Sequence, residues 1–96
     1  MEFYHQLRYA LLPHRIHLPE VPPTYLAVGY PWCRHTDRAQ QMCPELHFFP
    51  VDRTITQELF LIMPQQTVPL VFYKGELLGG ADALESHLTR KRRERH

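Results

Sequence analysis

Cysteine and long apolar runs are both scarce in this chain: there are two cysteines, Cys33 and Cys43, and no apolar run exceeds a few residues. Two cysteines are too few to staple a disulfide-dense secreted scaffold. Runs that short exclude a membrane-spanning helix, and Met1-Glu2 opens no leader-like apolar stretch, so the expectation is a soluble cytoplasmic protein with no membrane partner. A charge excess is missing as well, with 11 Lys and Arg against 10 Asp and Glu and a net charge of +1. The balance hides an asymmetry. Arg90, Lys91, Arg92, Arg93 and Arg95 fall in the last seven positions, while nine of the ten acids precede them. The reading adopted is a solvated helix end that complements the helix dipole, rather than a nucleic-acid patch. With 96 residues and 44% apolar content, one compact domain with a small core is expected.

The chain carries no internal repeat, and its punctuation is mostly proline. Phe3, Leu7, Ala10 and Leu11 have helical spacing and Pro13 ends the pattern, which predicts a short amphipathic helix. Prolines at 13, 19, 22 and 23 predict an extended connector. Thr24 to Tyr30 reads as a buried central strand, Arg34 to Met42 as a short helix and Leu46 to Val51 as the next strand. A helix capped by Thr54 or Thr56 then carries Ile55, Leu59, Ile62 and Met63 on one side, up to Pro64. Leu70 to Tyr73 and Glu76 to Leu78 flank the hairpin signal Lys74-Gly75, and the last helix runs from Ala81 to about Leu88. The predicted fold class is therefore α/β: a mixed four-stranded sheet, two parallel strands plus an antiparallel hairpin, flanked by helices.

The chemistry centres on Cys33. Cysteine attacks a disulfide only as thiolate, and a place at a helix N-terminus favours the anion through free backbone N–H groups and the helix dipole. Arg34 and His35 add positive character, and the Thr36 hydroxyl is a candidate donor to the sulfur. No second cysteine follows at the next turn, where Thr36 stands. If 33–43 is one helix, ten residues rise about 15 Å, too far for Cys43 to form a disulfide with Cys33. Cys43 is read as a packing residue.

Tyr-Pro-Trp-Cys at 30–33, Thr-Val-Pro at 67–69 and Gly-Gly-Ala-Asp at 79–82 together resemble a glutaredoxin of the thioredoxin fold, over residues 25 to 88. The resemblance implies a glutaredoxin-like domain over 24–89, preceded by an N-terminal helix and Pro-rich extension over 1–23 and followed by a basic tail over 90–96. It implies a redox enzyme of electron transport and cell redox homeostasis, with glutathione as co-substrate and glutathionylated or disulfide-containing proteins as partners. Cys33 is then the nucleophile, and Val68, ahead of a family cis proline at Pro69, offers its main chain to glutathione. Gly80, Ala81 and Asp82 take the γ-glutamyl end, with the Asp82 carboxylate meeting its ammonium. Thr67 and Trp32 line the same site. Where many glutaredoxins carry a lysine two residues before the tryptophan, this chain has Tyr30; its hydroxyl, with amides of Gln57 or Gln66, is the candidate donor to the glycyl carboxylate.

The mechanism implied is monothiol, in a monomer, on glutathione mixed disulfides. Two alternatives from other classes stand beside it. One is a two-iron, two-sulfur cluster held between two copies through Cys33 and glutathione; the other is a thioredoxin-fold interaction module without catalysis. Cys33, His35, Cys43 and His47 have the wrong spacing for a zinc finger, so no resident metal is expected.

Overall fold

The computed structural model describes residues 1–94. Helix α1 (Glu2–Leu11) is followed by a short 3-10 turn at Leu12–His14 and an extended connector; then come β1 (Tyr25–Gly29), α2 (Arg34–Met42), β2 (His47–Pro50), α3 (Arg53–Ile62), β3 (Leu70–Tyr73), β4 (Glu76–Gly79) and α4 (Ala81–Glu94). The strand order is β2-β1-β3-β4. β1 runs parallel to β2 and antiparallel to β3, with Val28 opposite Phe49 and Leu70, and β3 and β4 form the hairpin. The turn between them places Lys74 at φ 49° and Gly75 at φ 84°, the left-handed pair that matches the twist of a two-residue hairpin.

Alternation along the two central strands builds a core on each face of the sheet. Leu26, Val28, Leu70 and Phe72 point to one side, where α1 and α3 supply Tyr4, Leu7, Leu11, Ile55, Leu59 and Met63. Tyr25, Ala27 and Val71 point to the other, where α2 and α4 supply Ala39, Cys43, Ala81 and Leu84. The first face is closed by larger side chains. Residues 1–23, set apart in the sequence as an extension, share this core through Tyr4, Leu7, Leu11 and Leu18, and the Tyr4 hydroxyl donates to the Pro19 carbonyl at 2.5 Å.

Several expectations need correction. The cap of α3 is Asp52, whose side chain accepts from the Ile55 N–H at 2.9 Å, not Thr54 or Thr56. An aspartate three residues ahead of that N–H satisfies it directly, which leaves Thr56 one turn into the helix and buried. Ile62, expected on the buried side of α3, is 39% exposed. α4 continues past Leu88 to Glu94, so residues 90–94 of the expected tail are helical, while Arg95 and His96 lie outside the described residues. Among the described residues no helix is long and apolar enough to cross a membrane.

Candidate functional site

Cys33 is the N-cap of α2: its backbone is extended, at φ −85° and ψ 129°, and its carbonyl accepts the Asp37 N–H at 3.0 Å. Pro31 and Trp32 end the strand and deliver the cysteine to that position, half-buried, with Arg34 and His35 exposed beside it. Trp32 is 69% exposed and stacks on Tyr30, with centroids 5.6 Å apart and 5° between planes. Cys43 closes the same helix at its far end, 2% exposed, and both thiols are free. Burial pushes the Cys43 thiol up, and Glu45 adds to that. The two sulfurs thus have opposite settings.

Across from the start of α2 lies the loop before β3, with a cis Val68–Pro69 bond. Gln65 shapes this loop by donating from Nε2 to the carbonyls of Thr67, at 2.6 Å, and Pro69, at 2.8 Å. Among the described residues no backbone group engages the Val68 N–H or C=O. At Gly29 the chains come close. A Cβ there would lie 2.9 Å from Thr36 Oγ1 and 3.4 Å from Pro69 Cα, so glycine lets α2 and the proline loop meet over the end of β1.

A groove of about 450 Å³ runs beside this junction, lined by His35 and Arg38 of α2, Thr67 and Val68 of the loop, and Gly80, Ala81, Asp82 and Ala83 at the start of α4. The first intrahelical bond of α4 runs from the Leu84 N–H to the Gly80 carbonyl, at 3.1 Å. The N–H groups of Ala81, Asp82 and Ala83 are therefore the unpaired donors of a helix start. The structure brings Thr67, Val68, Gly80, Ala81 and Asp82 together as expected from sequence. Pro69 is buried behind them, and Gln57 is exposed on α3, outside the groove.

Three expected roles change. The Thr36 hydroxyl is buried with no hydrogen-bond partner, so it does not reach the Cys33 sulfur; its side chain packs toward Gly29 instead. Thr56 donates to the Arg53 carbonyl at 2.9 Å, and Tyr30 lies 2.6 Å from the same Thr56 oxygen. With its only proton committed there, Thr56 can only accept from Tyr30. The Tyr30 hydroxyl is consequently not a free donor for a carboxylate. Gln66 folds back onto the end of α3, donating to the carbonyls of Phe60 at 2.7 Å and Met63 at 3.4 Å.

Two residues of the site escaped the sequence reading. Gln65, not its neighbour, clamps the proline loop. Arg38 crosses from α2 to α4, donating from Nη1 to Asp82 at 2.7 Å and from Nη2 to Glu85; these bonds, Asp82 first, hold its guanidinium above its ordinary value. The available signal for Arg38 was its spacing of three from His35, which puts both on one face of the helix.

A larger concavity, about 600 Å³, opens at the opposite end of the sheet, around Tyr25, Cys43, Tyr73, Lys74 and Lys91. Its only thiol is the buried Cys43, whereas Cys33 caps α2, the helix whose His35 and Arg38 line the smaller groove. Among the described residues no three His, Cys, Asp or Glu side chains gather as metal ligands, and the Cys33, His35, Cys43 and His47 set is not assembled.

The overall shape of the chain recurs in solved structures. A buckwheat glutaredoxin in complex with glutathione is 23% identical, with a TM-score of 0.65 over 91% of this chain and 86% of that one. The holo form of glutaredoxin C1 from Populus tremula x tremuloides is 21% identical, with a TM-score of 0.68 over 91% and 85%. The chain has a glutaredoxin-like thioredoxin fold. Oxidized glutaredoxin 2 from Chlamydomonas reinhardtii matches at 15% identity, with a TM-score of 0.63 over 94% of this chain and 85% of that one. No protein-family model matches the chain, and no curated protein matches it in sequence. The glutaredoxin-like fold thus rests on shape. The shared shape extends beyond residues 25 to 88, where the sequence resemblance lay, since each of these structures covers at least 91% of the chain.

Proposed function

We propose that this chain is a glutathione-dependent thiol–disulfide oxidoreductase that works through one thiol. Cys33, as thiolate, attacks the glutathione sulfur of a mixed disulfide; a Cys33–glutathione disulfide forms and the substrate leaves as its thiolate, taking a proton from water. A second glutathione thiolate then attacks the glutathione sulfur held on Cys33. Oxidised glutathione leaves and the Cys33 thiolate returns, so each turnover converts one mixed disulfide and one free glutathione into the substrate thiol and oxidised glutathione, a pair of disulfide exchanges with no other oxidant or reductant.

The observation that carries this reading is the groove itself. The unengaged main chain of Val68 suits an extended peptide laid across it. The free N–H groups of Ala81 and Asp82 suit the γ-glutamyl carboxylate at its end. Thr36 at the next turn from Cys33, and Cys43 buried at the far end of α2, support a route with no internal disulfide. The buckwheat structure, a glutaredoxin–glutathione complex on the same fold, supports glutathione as the peptide.

Two assays run side by side test it. The expected outcome is turnover of a glutathione–mercaptoethanol mixed disulfide, coupled to glutathione reductase, abolished in Cys33→Ser, with no reduction of insulin disulfides. Turnover in neither assay would overturn the enzyme reading, and efficient insulin reduction would overturn the single-thiol route.

A further inference from the structure

Arg38 adds to this groove a cation that none of the recognition roles above uses. Its guanidinium has five N–H donors, of which the bonds to Asp82 and Glu85 engage one on each terminal nitrogen. Arg38 and Asp82 both line the groove. Glu85 does not; it lines a neighbouring depression along α4, which Asp82 also borders. Glu85 therefore grips the guanidinium from outside the groove, while Asp82 stands between the groove and the depression and borders both. Asp82 stays open to solvent, with its side chain 94% exposed despite the pair, and its second carboxylate oxygen makes no hydrogen bond among the described residues.

A guanidinium fixed beside a carboxylate is the charge complement of an amino-acid zwitterion. We propose that Arg38 is a further specificity-determining residue of this groove, its guanidinium taking the γ-glutamyl α-carboxylate alongside the free N–H groups of α4 and beside the ammonium role already given to Asp82. This rests on the glutathione reading and deepens it: Arg38 becomes a specificity-determining residue and Glu85 a positioning residue that holds it. The planar fork matters, because a carboxylate bound by two parallel N–H donors is fixed in orientation as well as attracted. The pair stands ready before the ligand arrives, so little side-chain ordering remains to be done on binding.

The test uses the full chain and mixed disulfides of one reporter thiol with three peptides: glutathione, the analogue lacking the α-amino group, and the analogue lacking the α-carboxylate. Wild type is expected to turn over glutathione about fivefold to tenfold more efficiently than either analogue. Arg38→Ala is expected to lose a similar factor with glutathione through KM, with kcat held, and to lose nothing further with the analogue lacking the carboxylate. It should still reject the analogue lacking the amine. Arg38→Lys, which keeps the charge and loses the fork, falls between, and Glu85→Gln shows a smaller rise in KM; thermal melts confirm that each variant folds. A lower or unchanged KM in Arg38→Ala, or an equal loss on all three peptides, would overturn the proposal while leaving the glutathione reading in place. Absence of wild-type turnover on every mixed disulfide would overturn both.

Discussion

Gly29→Ala probes the junction on which the site is built. An ideal Cβ at this position lies 2.9 Å from Thr36 Oγ1 and 3.4 Å from both Cα and Cβ of Pro69. Neither neighbour yields easily. Thr36 is 1% exposed inside α2, and Pro69 is a buried ring at the entry to β3. Overpacking of this kind costs about 1–3 kcal/mol, and alanine recovers about 0.5–1 kcal/mol over glycine in a strand through lower unfolded-state entropy. Taken at mid-range the clash wins, with a net loss of about 1 kcal/mol, which in a domain of this size lowers Tm by about 4–8 °C. Urea unfolding with the m-value held constant measures it. The cause is checked by a double-mutant cycle with Thr36→Ala, which removes the clashing oxygen and should restore about 1 kcal/mol beyond additivity. If Gly29→Ala changes stability by less than about 0.5 kcal/mol, or if the cycle is additive, the close approach of α2 to the proline loop is not as described.

Other measurements reach different parts of the molecule. Asp52→Ala removes the α3 cap, whose bond to the Ile55 N–H is 2.9 Å, and is expected to cost about 1 kcal/mol in urea unfolding; no change would mean that Thr54 or Thr56 caps the helix after all. Limited alkylation near neutral pH should modify Cys33 alone, because Cys43 is 2% exposed and its thiol is pushed up by burial; peptide mass mapping that finds both cysteines labelled at similar rates would contradict this. His87 is buried, and burial, aided by Lys91 and Arg90, pulls its pKa down. A folded-state value below the unfolded one means that the unfolded chain takes the proton first. Stability from this group is therefore complete above the ordinary histidine value of about 6.5 and is lost as pH falls through it toward the folded value. Once protonated, His87 Nε2, 2.9 Å from the Tyr25 hydroxyl, can only donate across that contact. Tm measured downward from neutral pH should fall more steeply in wild type than in His87→Gln, and equal slopes would refute the assignment.

Much of the architecture is legible in the sequence because its causes are local. Proline at 13, 31, 44 and 64 bounds elements by removing a donor and fixing φ, wherever those residues sit in space. Alternation of Leu26, Ala27, Val28 and of Leu70, Val71, Phe72 states which side chains share a face. Lys74-Gly75 states the hairpin, and Cys33 between a strand end and a polar helix states the N-cap. The caps were harder, since Asp52, Thr54 and Thr56 all have capping chemistry and only the path of the chain chooses among them.

What the sequence could not rank was competition among equivalent partners. Gln65 and Gln66 are chemically identical neighbours, yet one clamps the proline loop and the other the end of α3. Tyr30 and Thr36 have hydroxyls suited to a ligand or a thiolate, and the fold commits one to Thr56 and leaves the other unpartnered against Gly29. The sequence by itself determined the order of elements, the helix-capping cysteine without a second thiol one turn on, and the segments that wall the groove. The tertiary structure alone decided that Arg38 meets Asp82, 44 residues away. Propensity and capping act within a few residues, whereas a charge pair between two helices exists only after both have packed on the same face of the sheet.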